Sequence, residues 1–543
     1  MKSFIYAIIL ALFLSSCGKE KADVIVYNAK VYTVDQNFNI AEAFAVKDGK
    51  ILAVGKTREI RSKYSSSEEI DAAGKAVYPG FIDAHAHFFG YGQSLQTADL
   101  RETKSWEEVI KRLTAFAETH PDGWLIGNGW DQNDWADKAF PTNEKLTELF
   151  PNRPVFLNRI DGHAAIANQK ALDDAGIKGE QKLTGGDMLT KNGKLTGVLI
   201  DNAVGLVESK IPSPDAKLAE KILTDAQRNC FAAGLTTIDD CGLGFEAVDF
   251  IEKLQKENKL KMRLYVMLSD AEPNYDYLFK RGAIKTDRLN VRAFKVYADG
   301  ALGSRGACLL KPYTDMPEKS GFLLSDIKHY EEVAVKIAEH NFQMCTHAIG
   351  DSANRVMLKI YNKVLKGKND RRWRIEHAQV VNSDDFDLFG KASIIPSVQP
   401  THATSDMYWA GQRLGVKRLK DAYAYKQLLK QNGWIPLGTD FPVENINPIL
   451  TFYAATVRED AKGFPKGGFQ IENALTPEEA IKGMTIWAAK ANFEEQEKGS
   501  LEKGKMADFV ILDTDLLKSS PQNILKTKVL KTYLNGEKVY EAK

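Results

Sequence analysis

Cysteine is scarce in this sequence, which has five cysteines in 543 residues. Cys17 lies near the N-terminus. The other four have neither the dense spacing of a disulfide-stabilised scaffold nor a Cys-x-x-Cys metal motif. We expect them to be buried thiols, with one disulfide as the alternative. They are Cys230, Cys241, Cys308 and Cys345.

Net charge and long apolar segments are lacking as well. The formal net charge is +1, so the composition does not suggest a nucleic-acid-binding protein or a basic membrane-binding surface. Beyond the N-terminal region, no apolar stretch reaches the ~18 residues that a membrane-spanning helix requires. These absences favour a folded protein with a small-molecule partner. They are compatible with a monomer or a homo-oligomer. They predict that the protein contacts a membrane only through an N-terminal anchor.

The N-terminus has the character of an export signal. Lys2 supplies a positive charge, and the apolar run FIYAIILALFL at residues 4–14 is too short to span a bilayer. The following LSSC resembles the lipobox of bacterial lipoproteins, which implies lipidation of Cys17. We predict a signal peptide over 1–16 and a tether over 17–22. The protein would then be exported and lipid-anchored to a bacterial membrane, on the periplasmic or cell-surface side. A plain secretory signal is the alternative.

Short strand-like runs separated by turn signals occupy both ends of the remaining chain. At the C-terminal end, Asn535-Gly536 is a strong signal for a two-residue hairpin turn. We predict that residues 23–79 and 496–543 together build one small β-sandwich.

Between these ends, strand-like runs alternate with helix-like segments. Eight strands in such an alternation predict an α/β protein with a (β/α)₈ TIM barrel, which we assign to residues 80–90 and 230–495. Residues 91–229 are too many for one crossover, and we predict an inserted domain over the barrel mouth. The strands are expected at 77–83, 236–240, 263–268, 291–296, 343–347, 373–377, 394–398 and 435–439.

Polar side chains mark the ends of these strands. His85 and His87 stand two apart in DAHAHF, so both imidazoles point to the same side of a strand. The active sites of TIM-barrel enzymes lie at the carboxyl ends of the strands. The remaining strands contribute Lys295, His347, His377 and Asp440.

Imidazole and carboxylate ligands suit zinc, and a catalytic site leaves one position open for water. His85, His87 and Asp440 suit one divalent ion, and His347 with His377 suits a second. Two neighbouring cations repel each other, so a bridging anion is needed between them.

The strand-end motifs resemble those of the amidohydrolase superfamily, and within it the YtcJ-like metal-dependent hydrolases of amidohydrolase family 3. The resemblance covers nearly the whole chain after the signal region. It implies that Lys295 is carbamylated and bridges two Zn²⁺ ions as an anion; an unmodified Lys295 beside one metal is the alternative. The motifs are PGFIDAHAHF, FKVYADGALGSRGA, THAIGD, RIEHAQ, GTDFPVE and KGSLEKGKMADFVILD.

The function expected from this resemblance is hydrolysis of an amide-type carbon–nitrogen bond, other than a peptide bond, by metal-activated hydroxide. Asp440 would accept the proton from water and later deliver it to the leaving nitrogen. A deaminase or cyclic-amide hydrolase on the same site is one alternative, and a non-catalytic ligand-binding lipoprotein is another. The candidate substrate contacts, each with a purely structural role as its alternative, are His163, Trp130, Arg305 and His402.

Overall fold

The computed structural model describes residues 19–543, so the predicted signal peptide and the lipidation site at Cys17 lie outside the described residues. Within that range the centre of the fold is a parallel barrel. Each strand pairs with the next one along the chain, and the α/β TIM-barrel prediction is confirmed. The strands are Phe81–Ala86, Leu235–Leu243, Arg263–Ser269, Leu289–Tyr297, Gln343–Ala348, Arg374–His377 and Ile395–Ser397.

Residues 435–440 form an extended segment that takes the place of the eighth strand and closes the barrel. Leu437 forms a parallel bridge with Val398 on one side. On the other side, the carbonyl of Leu437 accepts a hydrogen bond from Ala84 N at 3.2 Å, and Asp440 N donates to the carbonyl of His85 at 2.7 Å. The first and last strands therefore lie side by side at the carboxyl end of the barrel.

The first predicted strand, 77–83, is divided between two sheets. Ala76–Pro79 belongs to the sandwich and Phe81–Ala86 to the barrel, with Gly80 between them. A Cβ atom at Gly80 would lie 2.4 Å from Thr236 Oγ1, so only glycine lets the chain pass this close to the second barrel strand. Apolar periodicity alone does not reveal such a transfer between sheets.

Amphipathic helices cover the outside of the barrel. In Asp351–Leu365, for example, Met357, Leu358 and Tyr361 are buried at the spacing of one helical face. The helices that follow or precede barrel strands are Phe88–Ser94, Ala216–Ala232, Phe245–Lys256, Glu272–Arg281, Ile327–Glu339, Asp351–Leu365, Phe386–Lys391, Pro400–Asp406, Ala410–Leu419, Tyr425–Asn432, Pro448–Thr456, Pro477–Gly483 and Ile486–Ala491.

A separate six-stranded mixed sheet lies in the predicted insertion. Its strands, in spatial order, are Ala98–Asp99, Leu125–Trp130, Val155–Arg159, Ala164–Ala167, Lys194–Asp201 and Gly186–Lys191. Shorter helices connect them, and Trp106–Thr119 begins at Ser105, whose side chain accepts from Glu108 N at 3.2 Å. The long helix Ala216–Ala232 also falls within 91–229, but it packs against Phe88–Ser94 and the second barrel strand.

Two sheets near the chain ends share one apolar core, in which Phe44 of the first sheet meets Phe509 of the second at 5.0 Å between ring centroids. The first sheet contains Lys50–Gly55, Ala43–Lys47, Val24–Tyr27 and Glu68–Asp71. The second contains Glu537–Glu541, Val529–Leu534, Phe509–Leu512, Ala76–Pro79, Lys30–Tyr32 and Ile40–Ala41, and thus joins both ends of the chain.

The four cysteines of residues 19–543 are free thiols, and three of them are buried. We find no helix in this range with the length and apolar character that crossing a bilayer requires.

Candidate metal centre

The barrel brings the predicted strand-end residues together. His85 is the penultimate residue of the first strand and its side chain is fully buried, whereas the His87 side chain is 30 % exposed. Nε2 of His87 lies 3.3 Å from Asp440 Oδ1, and Nε2 of His85 lies 3.5 Å from the same oxygen. The two imidazoles therefore converge on one carboxylate, as the His-x-His spacing predicts.

A local change of backbone conformation aims two further groups into the site. Strand alternation alone would turn His377 away from the side on which Glu376 lies. His377 has a φ of 72° and Asp440 a φ of 66°, both in the left-handed region that non-glycine residues rarely adopt. Such conformations persist where the surrounding structure enforces them, and they occur frequently at functional sites.

His85, His377 and Asp440 form a buried group suited to a cation. One ligand atom from each lies within 4.8 Å of the other two. In the part of the chain that the structure describes, His377 Nδ1 and Asp440 Oδ1 are buried without a hydrogen-bond partner. Unsatisfied buried polar atoms are costly, and metal ions bound at this centre would satisfy these two.

His347 extends this group along the barrel rim. Its ring centroid lies 4.6 Å from that of His377, which in turn lies 4.7 Å from that of His85. Burial lowers the pKa of His85 to about 4 and places the pKa values of His347 and His377 well below the usual range. The three imidazoles are therefore neutral at physiological pH and retain a lone pair for a metal.

Asp440 supplies the negative charge. Burial raises the pKa of its carboxyl group, but hydrogen bonding from His402 and the neighbouring imidazoles outweigh burial and hold that pKa well below the usual range. Neutral imidazoles beside an ionised carboxylate are the ligand states that a divalent metal needs.

Lys295 lies in the fourth barrel strand and is fully buried. Its Nζ atom is 3.3 Å from His85 Nε2 and 4.9 Å from the ring centroid of Tyr297. Among residues 19–543 no carboxylate lies within ion-pair distance of this amine. Burial lowers the pKa of this amine, but the neighbouring Tyr297, Cys241 and carboxylates outweigh burial and raise that pKa above its usual range.

His402, one of the predicted substrate contacts, joins the centre from the segment after the seventh strand. Its Nε2 lies 3.1 Å from Asp440 Oδ2 and its Nδ1 lies 3.0 Å from Glu444 Oε1. Burial lowers the pKa of His402, but the two carboxylates outweigh burial and raise that pKa well above the usual range. His402 thus bonds directly to a candidate ligand. Sequence reasoning missed Glu444, although it ends the motif GTDFPVE.

His163 reaches the centre from the inserted sheet. Its ring centroid lies 4.9 Å from that of His347, and its Nδ1 lies 2.7 Å from Asp201 Oδ1. Asp201 fits against the loop after the fourth barrel strand, where a Cβ atom on Gly300 would lie 2.3 Å from its Oδ2. Sequence reasoning missed Asp201, because it is 38 residues from His163 and no local motif links the two.

The other two predicted substrate contacts have structural partners. The indole of Trp130 is fully buried in the core of the inserted sheet and donates to the Leu157 carbonyl at 2.9 Å. The guanidinium of Arg305 lies 2.9 Å from Asp315 Oδ2, so a substrate carboxylate would have to displace that ion pair. The substrate-contact role of these two residues therefore stays a prediction.

Two buried acids within the barrel contact the residues of the centre, and sequence reasoning missed the second of them, Glu376. Asp83, on the same side of the first strand as His85, accepts from Thr439 N at 2.9 Å and from Thr439 Oγ1 at 2.7 Å. It therefore ties the first strand to the segment that carries Asp440. Glu376, inside the motif RIEHAQ, lies 2.6 Å from Nδ1 of His85.

Buried histidines and an aspartate at the carboxyl ends of a TIM barrel define a metal-dependent hydrolase. The chain belongs to the amidohydrolase family, whose model matches residues 68–540. The predicted membership of amidohydrolase family 3 is thereby confirmed.

Relatives of known sequence span almost the whole chain. The chain is 31% identical over 524 residues to the putative amidohydrolase YtcJ of Bacillus subtilis (strain 168), covering 94% of this chain and 98% of that protein. It is 30% identical to Protein LONG AFTER FAR-RED 3 of Arabidopsis thaliana, covering 96% and 92%. It is 26% identical to the N-substituted formamide deformylase of Arthrobacter pascens, covering 96% and 98%.

Solved structures agree with this assignment. An uncharacterized metal-dependent hydrolase from Pyrococcus horikoshii OT3 superposes with a TM-score of 0.75 at 27% identity, covering 92% of this chain and 99% of that chain. An adenosine deaminase from Xanthomonas campestris with bound zinc superposes with a TM-score of 0.54 at 12% identity, covering 96% and 93%, and shares the fold.

Proposed function

We propose that this protein hydrolyses an amide-type carbon–nitrogen bond other than a peptide bond, with N-substituted formamides as the first substrates to test. The observation that carries the proposal is the buried triad of His85, His377 and Asp440, in which two polar atoms lack a partner among the described residues. The similarity to an N-substituted formamide deformylase supports the choice of bond.

We propose two Zn²⁺ ions as the cofactor. His85, His87 and Asp440 would hold one ion, His347 and His377 the other, and a carbamylated Lys295 would bridge them. When bound, the metal would supply Lewis acidity for the scissile carbonyl and lower the pKa of water.

The chain's own groups would handle the protons. Asp440 is ionised and its Oδ1 is free of hydrogen bonds within residues 19–543, so this oxygen accepts a proton from the attacking water. The same carboxyl group then gives the proton to the leaving nitrogen. His402 holds Asp440 Oδ2, which fixes the direction in which Oδ1 points. His163 faces the site from the inserted sheet and would orient the substrate.

Metal analysis combined with a substrate screen tests the proposal. Purified protein should contain two equivalents of zinc, hydrolyse at least one N-substituted formamide or N-acyl amide, lose activity to a chelator and regain it with zinc. Turnover of cyclic amides or heterocyclic amines alone would favour the deaminase or cyclic-amide alternative. Metal-free protein that binds ligands without turnover would favour a binding lipoprotein.

We also propose that the protein is exported and anchored through a lipid on Cys17, which would confine its chemistry to substrates outside the cytoplasm. A labelled fatty acid should be incorporated into the full-length chain and lost in the Cys17→Ala variant. Equal labelling of both proteins would refute the anchor.

A further inference from the structure

A line of charged side chains runs through the barrel interior towards the metal centre. Asp239, Arg374 and Glu376 are all fully buried. Arg374 Nη1 donates to Asp239 Oδ2 at 2.8 Å and to the Ala84 carbonyl at 3.2 Å, and it lies 3.9 Å from Glu376 Oε1. The line therefore connects the second, sixth and first strands and ends beside His85.

The sequence of the sixth strand produces this arrangement. Arg374 and Glu376 are two residues apart in Arg374–His377, so their side chains share one face, which here is the barrel interior. His377 would face the other way without its left-handed backbone. One strand of four residues thus provides a candidate ligand and a carboxylate that contacts a different ligand.

The contact between Glu376 and His85 determines which ring nitrogen of His85 carries the hydrogen. Nδ1 of His85 lies 2.6 Å from Glu376 Oε2, with both side chains fully buried. An ionised carboxylate only accepts hydrogen bonds, so Nδ1 must carry the hydrogen. Nε2 then carries the lone pair; it lies 3.3 Å from Lys295 Nζ and 3.5 Å from Asp440 Oδ1, on the side of the candidate metal.

Within the described residues, the Glu376 side chain makes a hydrogen bond only with His85. Its Oε1 atom has no hydrogen-bond partner there, and Arg374 is beyond hydrogen-bond distance. A buried carboxylate is costly unless paired, and a structural acid would be expected to accept several hydrogen bonds. Glu376 accepts its one side-chain hydrogen bond from a candidate ligand.

We infer that Glu376, which lies beside the buried Arg374–Asp239 ion pair, is a positioning residue that keeps His85 in the tautomer with hydrogen on Nδ1 and its Nε2 turned to a divalent cation. The inference rests on the metal site of the proposed function. Partners of this kind orient a ligand and raise its basicity, and their loss costs about 10- to 100-fold in metal affinity or activity.

Zinc titration of the metal-free protein against a chromophoric chelator tests this role without a substrate. Glu376→Gln keeps the side-chain shape, but its amide can donate to Nδ1 and shift the hydrogen to Nε2. We expect the zinc Kd of this variant to rise about 10- to 100-fold. Glu494→Gln is the matched control, because it removes another buried carboxylate, whose ion-pair partners among residues 19–543 are Lys285 and Lys498. Its zinc Kd should equal that of the wild type.

A spectroscopic measurement on the wild type avoids dependence on how the variants fold. With ¹⁵N-labelled histidine, His85 should show hydrogen on Nδ1 before zinc is added, and Glu376→Gln should show a population with hydrogen on Nε2. An unchanged zinc Kd in Glu376→Gln, or hydrogen on Nε2 in the wild type, would overturn the inference. Wild-type protein that binds zinc through a Glu376-dependent site but hydrolyses no amide would overturn the proposed function alone.

Discussion

The Asp440→Asn substitution removes one negative charge from the metal centre and preserves the side-chain shape. In the wild type, Oδ2 accepts from His402 Nε2 at 3.1 Å, while Oδ1 faces His85 and His87 at 3.5 and 3.3 Å. Asparagine has only one acceptor oxygen, so it cannot both accept the hydrogen bond from His402 and present an oxygen to the metal site beside His85 and His87. It also has no basic oxygen to accept a proton from water at neutral pH.

The expected effect has two separable parts. Loss of general-base catalysis should lower kcat by about 10² to 10⁴-fold, the usual contribution of a positioned acid–base group. If the protein binds the two zinc ions that we propose, loss of one ligand should release the ion proposed for His85 and His87, so the zinc content should fall from two equivalents to one. The second proposed ion should remain, because its proposed ligands are His347 and His377 and do not include Asp440.

The assay is kcat on the best amide from the screen, together with zinc content by mass spectrometry on the same preparation. Asp270→Asn serves as control, because Asp270 also follows a barrel strand but bonds to Tyr275 and His329 instead of the metal centre. The control should keep both ions and most of its activity. An Asp440→Asn variant with kcat near the wild-type value would refute the assignment of Asp440 as proton acceptor.

Three further predictions concern the surroundings of the site. His402→Phe, which removes the hydrogen bond to Asp440 Oδ2, should reduce kcat about 10- to 100-fold with unchanged circular dichroism; full activity would show that this bond is dispensable. Gly300→Ala places a Cβ atom 2.3 Å from Asp201 Oδ2 and should lower stability by about 1–3 kcal/mol in thermal melts, whereas an unchanged Tm would contradict the close fit. For Glu494, burial raises the pKa, but two lysine partners outweigh it and hold the folded pKa at about 2, below the ordinary value of 4.5. The shift stabilises the folded protein by on the order of 3 kcal/mol above pH 4.5, and this contribution should disappear as the pH falls towards 2; Glu494→Gln should flatten that part of the stability profile.

The sequence predicts those parts of the site that depend on local periodicity. His85 and His87 share a face because strand side chains alternate, and their position follows from the end of an apolar run. Lys295, His347 and Asp440 are found in the same way, since a TIM barrel brings the carboxyl ends of its strands to one rim. The hairpin at Asn535-Gly536 is likewise local and joins Val529–Leu534 to Glu537–Glu541.

Contacts between residues far apart in the chain are not predictable in this way. Glu376 and His85 are 291 positions apart, and Asp83 and Thr439 are 356 positions apart. Each pair depends on how the barrel closes, which no single motif encodes. The passage of the chain from sandwich to barrel at Gly80 is similar, because the need for glycine arises from the nearby side chain of Thr236.

The sixth strand combines a feature that local periodicity predicts with a contact that depends on how the barrel closes. RIEH contains an inward-facing acid directly before a histidine, and ordinary alternation would place only one of them in the site. The left-handed conformation of His377 brings both there, one as a candidate ligand and the other as the partner of His85. A non-glycine residue in this conformation costs on the order of 1–3 kcal/mol. This strain occurs at a residue whose Nδ1 has no protein partner within residues 19–543, which favours a site shaped for a metal ion over one shaped for packing alone.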